Sequence, residues 1–186
     1  MSIIMLLFLL CGLLSLGGTT HGQSSQHDSD LTVPMKNTDG TVIGQVSLKV
    51  SESGALFSGT FWNIAAGWHG LHLHENPDCS DGDQGFLKSG GHANPAKYLH
   101  GVHNEKGLHL GDLANIYAFP ACQGTDDQSA SGQPIQARTQ QIMTVLTAAD
   151  APRSYAVILH AGADDYATNP TGNSGKRIGC AVVTVH

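Results

Sequence analysis

From residue 31 onward, hydrophobic and polar positions alternate with a period of two, the mark of half-buried strands. Over residues 41–50 (TVIGQVSLKV), Val42, Val46, Leu48 and Val50 share one face, and Thr41, Gln45, Ser47 and Lys49 share the other. Asp39-Gly40 just before is a tight-turn signal, so residues 31–36 are expected to pair with this strand as a hairpin. Residues 55–62 and 67–74 predict two more strands, separated by a turn near Ala65 to Gly67. Strand character returns at 112–119, 141–147, 154–160 and 178–185. Eight short strands and no convincing amphipathic helix predict an all-β fold, an eight-stranded antiparallel sandwich or barrel.

Between Glu75 and Gly111 the alternation fails, and Gly, Asn, Asp, Pro and His crowd the stretch. A loop of this length inside a domain needs something to order it. A disulfide and a metal are the candidates, and the stretch supplies ligands for both. Residues 120–138 form a polar insert, and 161–176 a loop rich in Gly, Asp and Asn.

The first residues carry an address. Residues 3–16 (IIMLLFLLCGLLSL) are apolar or small, too short to span a bilayer comfortably, and small residues follow at Gly17, Gly18, Thr19, Thr20 and Gly22. Residues 1–22 therefore predict a secretory signal, with a retained anchor as the rival, and residues 23–30 a flexible lead-in. One domain is expected over 31–186, with no stable membrane insertion after cleavage. The exported location would be extracellular or periplasmic, an oxidising compartment. Without Cys11, the cysteines are Cys79, Cys122 and Cys180, which allow one intramolecular bridge in any of three pairings.

The chain has 9 Lys and Arg against 15 Asp and Glu, a net charge of −6, which argues against a nucleic-acid binder. It has 11 His, and 7 of them fall between His69 and His109. His72 and His74, two apart on a strand, project from one face as a natural pair of metal ligands, while Leu71 and Leu73 point to the core. His92, His100, His109 and Asp112 follow the spacing H-x7-H-x8-H-x2-D. Three imidazoles and a carboxylate match the donor chemistry of zinc, and a closed four-ligand site would order the loop. The bland alternative, a solvated His-rich loop, fits poorly with the bracketing Gly90-Gly91 and Gly111. His160 ends another strand, with Asp164 and Asp165 just after it.

GWHGLHLHE, GGHANP, LHG, HLGDL, LHAGADD and GNSGKRIGC, in that order, resemble the motif series of the copper/zinc superoxide dismutases over about residues 31–186. That resemblance implies a Greek-key sandwich or barrel with long metal-binding and channel loops. It assigns copper to His72, His74, His92 and His160, and zinc to His92, His100, His109 and Asp112, with His92 shared as a bridging imidazolate. Asp164 matches the carboxylate that links a copper histidine to a zinc histidine. Arg177 matches the arginine beside the copper, a permanently charged fork suited to a small anion. Thr171 matches the residue that narrows the channel. Cys79 and Cys180 match the family's intrasubunit disulfide, which leaves Cys122 free and expected to be buried and inert. His69 matches a structural position behind the copper strand, and His103 matches no ligand.

The implied reaction is disproportionation of superoxide to dioxygen and hydrogen peroxide, with one copper and one zinc per subunit of a homodimer. His92 and Arg177 are the catalytic residues in that reading. The competing reading is a non-catalytic copper/zinc carrier or buffer on the same fold. Four residues separate His74 from Cys79, as in bacterial periplasmic members, whereas the zinc-loop spacing resembles the eukaryotic pattern. The loop after Asp165 lacks the charged run that steers substrate in eukaryotic enzymes. Arg177 with Lys88 or Lys176 would have to provide the local positive field.

Overall fold

A computed structural model describes residues 32–104, 108–122, 127–143, 146 and 153–184. The predicted signal and lead-in lie outside the described residues. Asn37, Asp39 and Gly40 make the predicted turn: Gly40 has φ +88°, and its N–H donates to Asn37 O (3.0 Å). Asn37 Oδ1 takes the Thr41 N–H at 2.9 Å. The turn joins β1 (Val33–Asn37) to β2 (Val42–Ser51) in an antiparallel pair.

Within that pair the simple alternation breaks once. Met35 faces Gly44 and Lys36 faces Val42, so Ile43 is an extra residue on β2. The bulge shifts the face: Ile43 is buried beside Met35 and Val46, and Val42 turns outward to 36% exposure. The strict period expected Val42 in the core.

β3 (Gly54–Phe61) pairs with β2 over its whole length. The predicted strand 67–74 is two strands, β4 (Gly67–His69) and β5 (Leu71–His74). Gly70 turns the chain between them. Its N–H donates to Gly162 O (2.8 Å), and its carbonyl accepts from His160 N–H (2.9 Å). A Cβ at Gly70 would stand 2.9 Å from Ser174 Cβ, so a side chain there would force the loop away. β6 covers only Ile116–Ala118 of the predicted 112–119. In the missing part, side chains replace the ladder: Gln141 bonds both Ala114 N–H (2.6 Å) and Ala114 O (3.0 Å). β7 (Ala137–Met143) starts four residues earlier than its alternation suggested, while β8 (Ser154–His160) and β9 (Arg177–Thr184) fall at or within one residue of expectation.

Seven strands form one antiparallel sheet in the order β5-β8-β9-β1-β2-β3-β7, and β4 pairs with β6. β4 continues into β5, and β6 lies beside β7, so the strip curls round and its two ends meet in a Greek-key barrel-like arrangement. Gln136 sits at this closure, 6% exposed. Its amide bonds Ile64 N–H (3.1 Å), Ile64 O (2.8 Å) and Phe119 O (3.2 Å). Inside the curl lie Met35, Phe57, Phe61, Leu71, Leu73, Val157, Leu159 and Leu146, all fully buried.

Outside it, Phe86 covers Ala156, Ile158 and Cys180 on the far face of β8 and β9. β8 is thus buried on both faces, and the loop bearing Phe86 is packed onto the barrel beside the histidines. Among the described residues, no helix is long and apolar enough to cross a membrane.

Candidate metal centre

β5 sends Leu71 and Leu73 into the core and His72 and His74 outward, as its period requires, and the loops bury both imidazoles completely. β8 brings His160 alongside through the β5–β8 pairing. The loop 75–111 returns across them: His92 bridges to His74, Ala93 N–H donates to Leu73 O (2.8 Å), and Leu73 N–H donates to Gly111 O (2.9 Å). The long loop is thereby stitched to the strand that carries the first histidines.

Two groups of ligand atoms result. His72, His74, His92 and His160 form one, and His92, His100, His109 and Asp112 the other, with the atoms of each group within 4.8 Å of one another. His92 belongs to both. In the first group, His72 Nδ1, His74 Nε2, His92 Nε2 and His160 Nε2 are buried without any hydrogen-bond partner. Four converging, buried, partnerless nitrogens form a donor set for a soft-to-borderline cation.

In the second group, Asp112 Oδ1 lies 2.8 Å from His92 Nδ1, 3.0 Å from His100 Nδ1 and 3.2 Å from His109 Nδ1. His109 Nδ1 faces His92 Nδ1 at 3.3 Å, a pair in which neutral rings give at most one donor. Four ligands about 2.0–2.1 Å from a tetrahedral zinc stand about 3.3 Å apart, so this spacing fits such an ion.

The second nitrogen of each outer ring is fixed by the protein. His72 Nε2 meets Asp164 Oδ2 (2.7 Å), and His100 Nε2 meets Asp164 Oδ1 (2.9 Å), so one buried carboxylate spans both groups. His74 Nδ1 meets Gly90 O (3.0 Å), His160 Nδ1 meets Gly175 O (3.1 Å), and His109 Nε2 meets Tyr98 O (3.0 Å). Each acceptor holds the proton on its own side and aims the other lone pair inward.

Asp112 Oδ2 is held by the Gly101 N–H (3.0 Å) and His109 N–H (3.1 Å). Asp164 is clasped by Asn115, whose amide pairs with its backbone N–H and C=O, both at 2.8 Å. Gly172, at φ +63°, lies against that carboxylate, and a Cβ there would come 2.6 Å from His100 Nε2.

Burial sets the electrostatics. It pushes His74 down to about 2, His160 to about 3 and His92 to about 4, with neighbouring imidazoles adding to the effect. The rings therefore stay neutral and able to ligate. Burial works to raise Asp112 and Asp164, but hydrogen bonds from the histidines and from backbone N–H groups, with the neighbouring imidazoles, together outweigh it: both are lowered, Asp164 to about 2.

Arg177, first residue of β9, faces His160 in the β8–β9 pairing. Its Nη1 donates to Phe86 O (2.7 Å) and Ser89 Oγ (2.9 Å), and its Nη2 to Gly90 O (2.8 Å). Cys79 and Cys180 form a disulfide that ties this loop to β9.

Thr171 is half-buried at the loop tip, with its carbonyl accepting from Ser174 Oγ (2.9 Å). Lys88 and Lys176 are exposed. His69 packs behind, with its ring nitrogens each 2.8 Å from a carbonyl, those of His160 and Ala65. His103 is on the surface. Cys122 departs from expectation: it is exposed, at the end of a run that is exposed from Phe119 onward.

Several site residues have no signature in the sequence. The anchors of Arg177, His74, His109 and His160 include backbone carbonyls, which any residue supplies. Ser89 and Asn115 read as ordinary loop polar residues. Gly172 was legible only as one glycine in a glycine-rich loop.

The family model for "Copper/zinc superoxide dismutase (SODC)" matches residues 42–183. A copper/zinc superoxide dismutase of Deinococcus radiodurans is 35% identical over 176 residues, covering 87% of this chain and 90% of that protein. Superoxide dismutase [Cu-Zn] 2 of Aquifex aeolicus is 32% identical over 155 residues, 79% and 82% of the two chains. Among solved structures, a superoxide-dismutase-like protein from Bacillus subtilis matches with TM-score 0.65 and 28% identity over 81% of this chain and 96% of that one. The Brucella abortus Cu/Zn superoxide dismutase matches with TM-score 0.60 and 26% identity over 81% and 97%. Sequence, fold and paired histidine clusters converge, and the chain belongs to the copper/zinc superoxide dismutase family.

Proposed function

We propose that this protein disproportionates superoxide to dioxygen and hydrogen peroxide, using copper held by His72, His74, His92 and His160, and zinc held by His92, His100, His109 and Asp112. The observation that carries the reading is the set of four buried, partnerless imidazole nitrogens sharing His92 with a second cluster. Bound copper supplies the one-electron couple that the reaction requires. Arg177 holds the substrate anion with its fixed guanidinium beside His74 and His160. His92 Nε2 takes up a proton between the two half-reactions and delivers it to the second superoxide, which draws the other proton of hydrogen peroxide from solvent. Asp164 keeps His72 and His100 in register, and Thr171 narrows the approach.

The proposal extends to export. Residues 1–22 act as the signal and 31–186 as the mature domain, in a periplasmic or extracellular setting where the Cys79–Cys180 bond persists. The protein works as a homodimer with one copper and one zinc per subunit.

The test measures metal content and superoxide turnover on one purified mature sample, together with Arg177→Ala. Near-stoichiometric copper and zinc with rapid turnover are expected, and Arg177→Ala should cut turnover while both metals stay bound. Both metals without turnover would move the protein to the carrier or buffer class.

A further inference from the structure

Asp81 is a charged residue buried to 3% exposure, outside both histidine clusters, and its Oδ1 has no hydrogen-bond partner. A buried carboxylate is costly unless its oxygens are hydrogen-bonded. Asp81 gathers three N–H donors from its own loop. Its carbonyl accepts from Gln84 (3.0 Å) and Phe86 (3.1 Å), and its Oδ2 accepts from Lys88 (2.9 Å).

The segment closed in this way is the one that grips Arg177, through Phe86 O, Ser89 Oγ and Gly90 O. Ser89 Oγ donates to Phe86 O (2.8 Å) and lies 3.3 Å from His74 Nδ1, and Gly90 O takes His74 directly. One turn therefore holds both the cation and a histidine of the first cluster.

That turn is unusual backbone. Gly85 and Phe86 both have positive φ, +78° and +58°, and the Phe86 value is disfavoured for a bulky residue. It persists only if its surroundings over-determine it. The Phe86 ring is seated against β8 and β9, and its own N–H is held by Asp81 O (3.1 Å).

We infer that Asp81 is a positioning residue for Arg177: its buried carboxylate pins the turn whose Phe86, Ser89 and Gly90 oxygens hold the guanidinium beside the first histidine cluster. The charge arrangement agrees. Burial lowers the Arg177 guanidinium from its ordinary value, and the Asp81 carboxylate opposes that shift. The clamp itself is the hydrogen bond from the Lys88 N–H to Asp81 Oδ2. The inference rests on the reading of Arg177 as the anion-holding group of a copper site.

The experiment uses copper- and zinc-loaded, disulfide-bonded protein, with azide as a small anionic probe followed by its absorption change at copper. Asp81→Ala removes the Lys88 acceptor. It should weaken azide affinity at least fivefold and lower kcat/KM in step, with metal content unchanged. Asp81→Asn keeps an oxygen for the Lys88 N–H and should restore both to within twofold of the parent. Azide affinity of Asp81→Ala within twofold of the parent overturns the inference, as does an Asp81→Asn variant as weak as the alanine one.

If Asp81→Ala does not fold, hydrogen exchange at the Lys88 amide of the parent decides. Protection comparable to the strand amides supports the clamp, and exchange at exposed-loop rates overturns it. A parent that binds copper and azide without turnover defeats the dismutase reading, while the comparison of azide affinities still tests Asp81.

Discussion

Acidifying the metal-free, disulfide-intact protein to pH 5 should remove much of its stability, because three buried imidazoles refuse protons that the unfolded chain accepts. In the fold, His74, His160 and His92 are lowered to about 2, 3 and 4 by burial and by one another. In the unfolded chain they titrate near 6.5. Stability from a lowered group is complete above the unfolded value and is lost as pH falls toward the folded one. Asp164, lowered to about 2, keeps its contribution down to about pH 4 and does not offset the loss at pH 5. At pH 5, each of the three histidines forfeits about 2 kcal/mol relative to pH 7.5, so the sum is on the order of 6 kcal/mol. That is comparable with the whole stability of an ordinary domain, about 5–15 kcal/mol. Urea unfolding of chelator-treated protein at pH 7.5, 6 and 5 reads it directly. In the proposed metal-loaded protein, zinc and copper held by the folded clusters should keep the chain folded at a pH where the metal-free form has opened. A fall of less than about 1 kcal/mol between pH 7.5 and 5 would refute the reasoning, because it would mean that the emptied pocket admits water and its rings titrate normally.

Gly172→Ala places a methyl against Asp164 and His100 at a left-handed backbone position. Zinc affinity, measured by chelator competition, should fall about 10- to 100-fold, with unchanged affinity counting against the Asp164 bridge. Gln136→Leu removes the part-buried amide that joins Ile64 and Phe119 at the barrel closure, taking away its three hydrogen bonds to their backbone groups. Urea unfolding should show a loss of about 2–4 kcal/mol with little change in the turnover of folded, metal-loaded protein. The Cys79→Ser, Cys180→Ser double variant opens a bridge between residues 101 apart. It should cost about 2–5 kcal/mol in the same assay and also weaken azide binding, because the Arg177 turn loses its tether to β9.

The parts of this molecule that were legible in the sequence share a cause. β8 and β9 are continuous β-rich runs with little freedom of register, and the ligand histidines come from one strand pair and one loop with fixed spacings. Where the structure departed, a single residue or a side chain had taken over a backbone role. GWHGLHLH reads as one strand, but Gly70 changes partners from β6 to β8 in mid-run. TVIGQV reads with Val42 inside, but the bulge at Ile43 reverses the parity. DLANIYAF reads as strand throughout, but Gln141 and Asn115 supply bonds that a ladder would otherwise make. None of these events alters composition or period enough to show. The exposure of Cys122 belongs with them, since a lone cysteine reads as buried from its residue type and nothing in the neighbouring pattern corrects it.

The hydrogen bonds also separate His92 from the other five histidines of the two clusters. Each of those has one ring nitrogen committed to a protein acceptor: Asp164 for His72 and His100, and backbone carbonyls for His74, His109 and His160. Swinging any of them off a metal would pull on or break that bond in a buried site, at a cost of about 1–3 kcal/mol. His92 has its Nδ1 toward the zinc-type cluster and its Nε2 toward the copper-type cluster, with no other acceptor on Nε2. It is the one ring of the six whose two nitrogens both face the clusters, with no hydrogen bond to an acceptor outside them. Its folded value of about 4, pulled down mainly by burial and pulled up by Asp112, is also less extreme than those of His74 and His160. In the proposed dismutase, that placement suits His92 rather than the other five to carry the relayed proton.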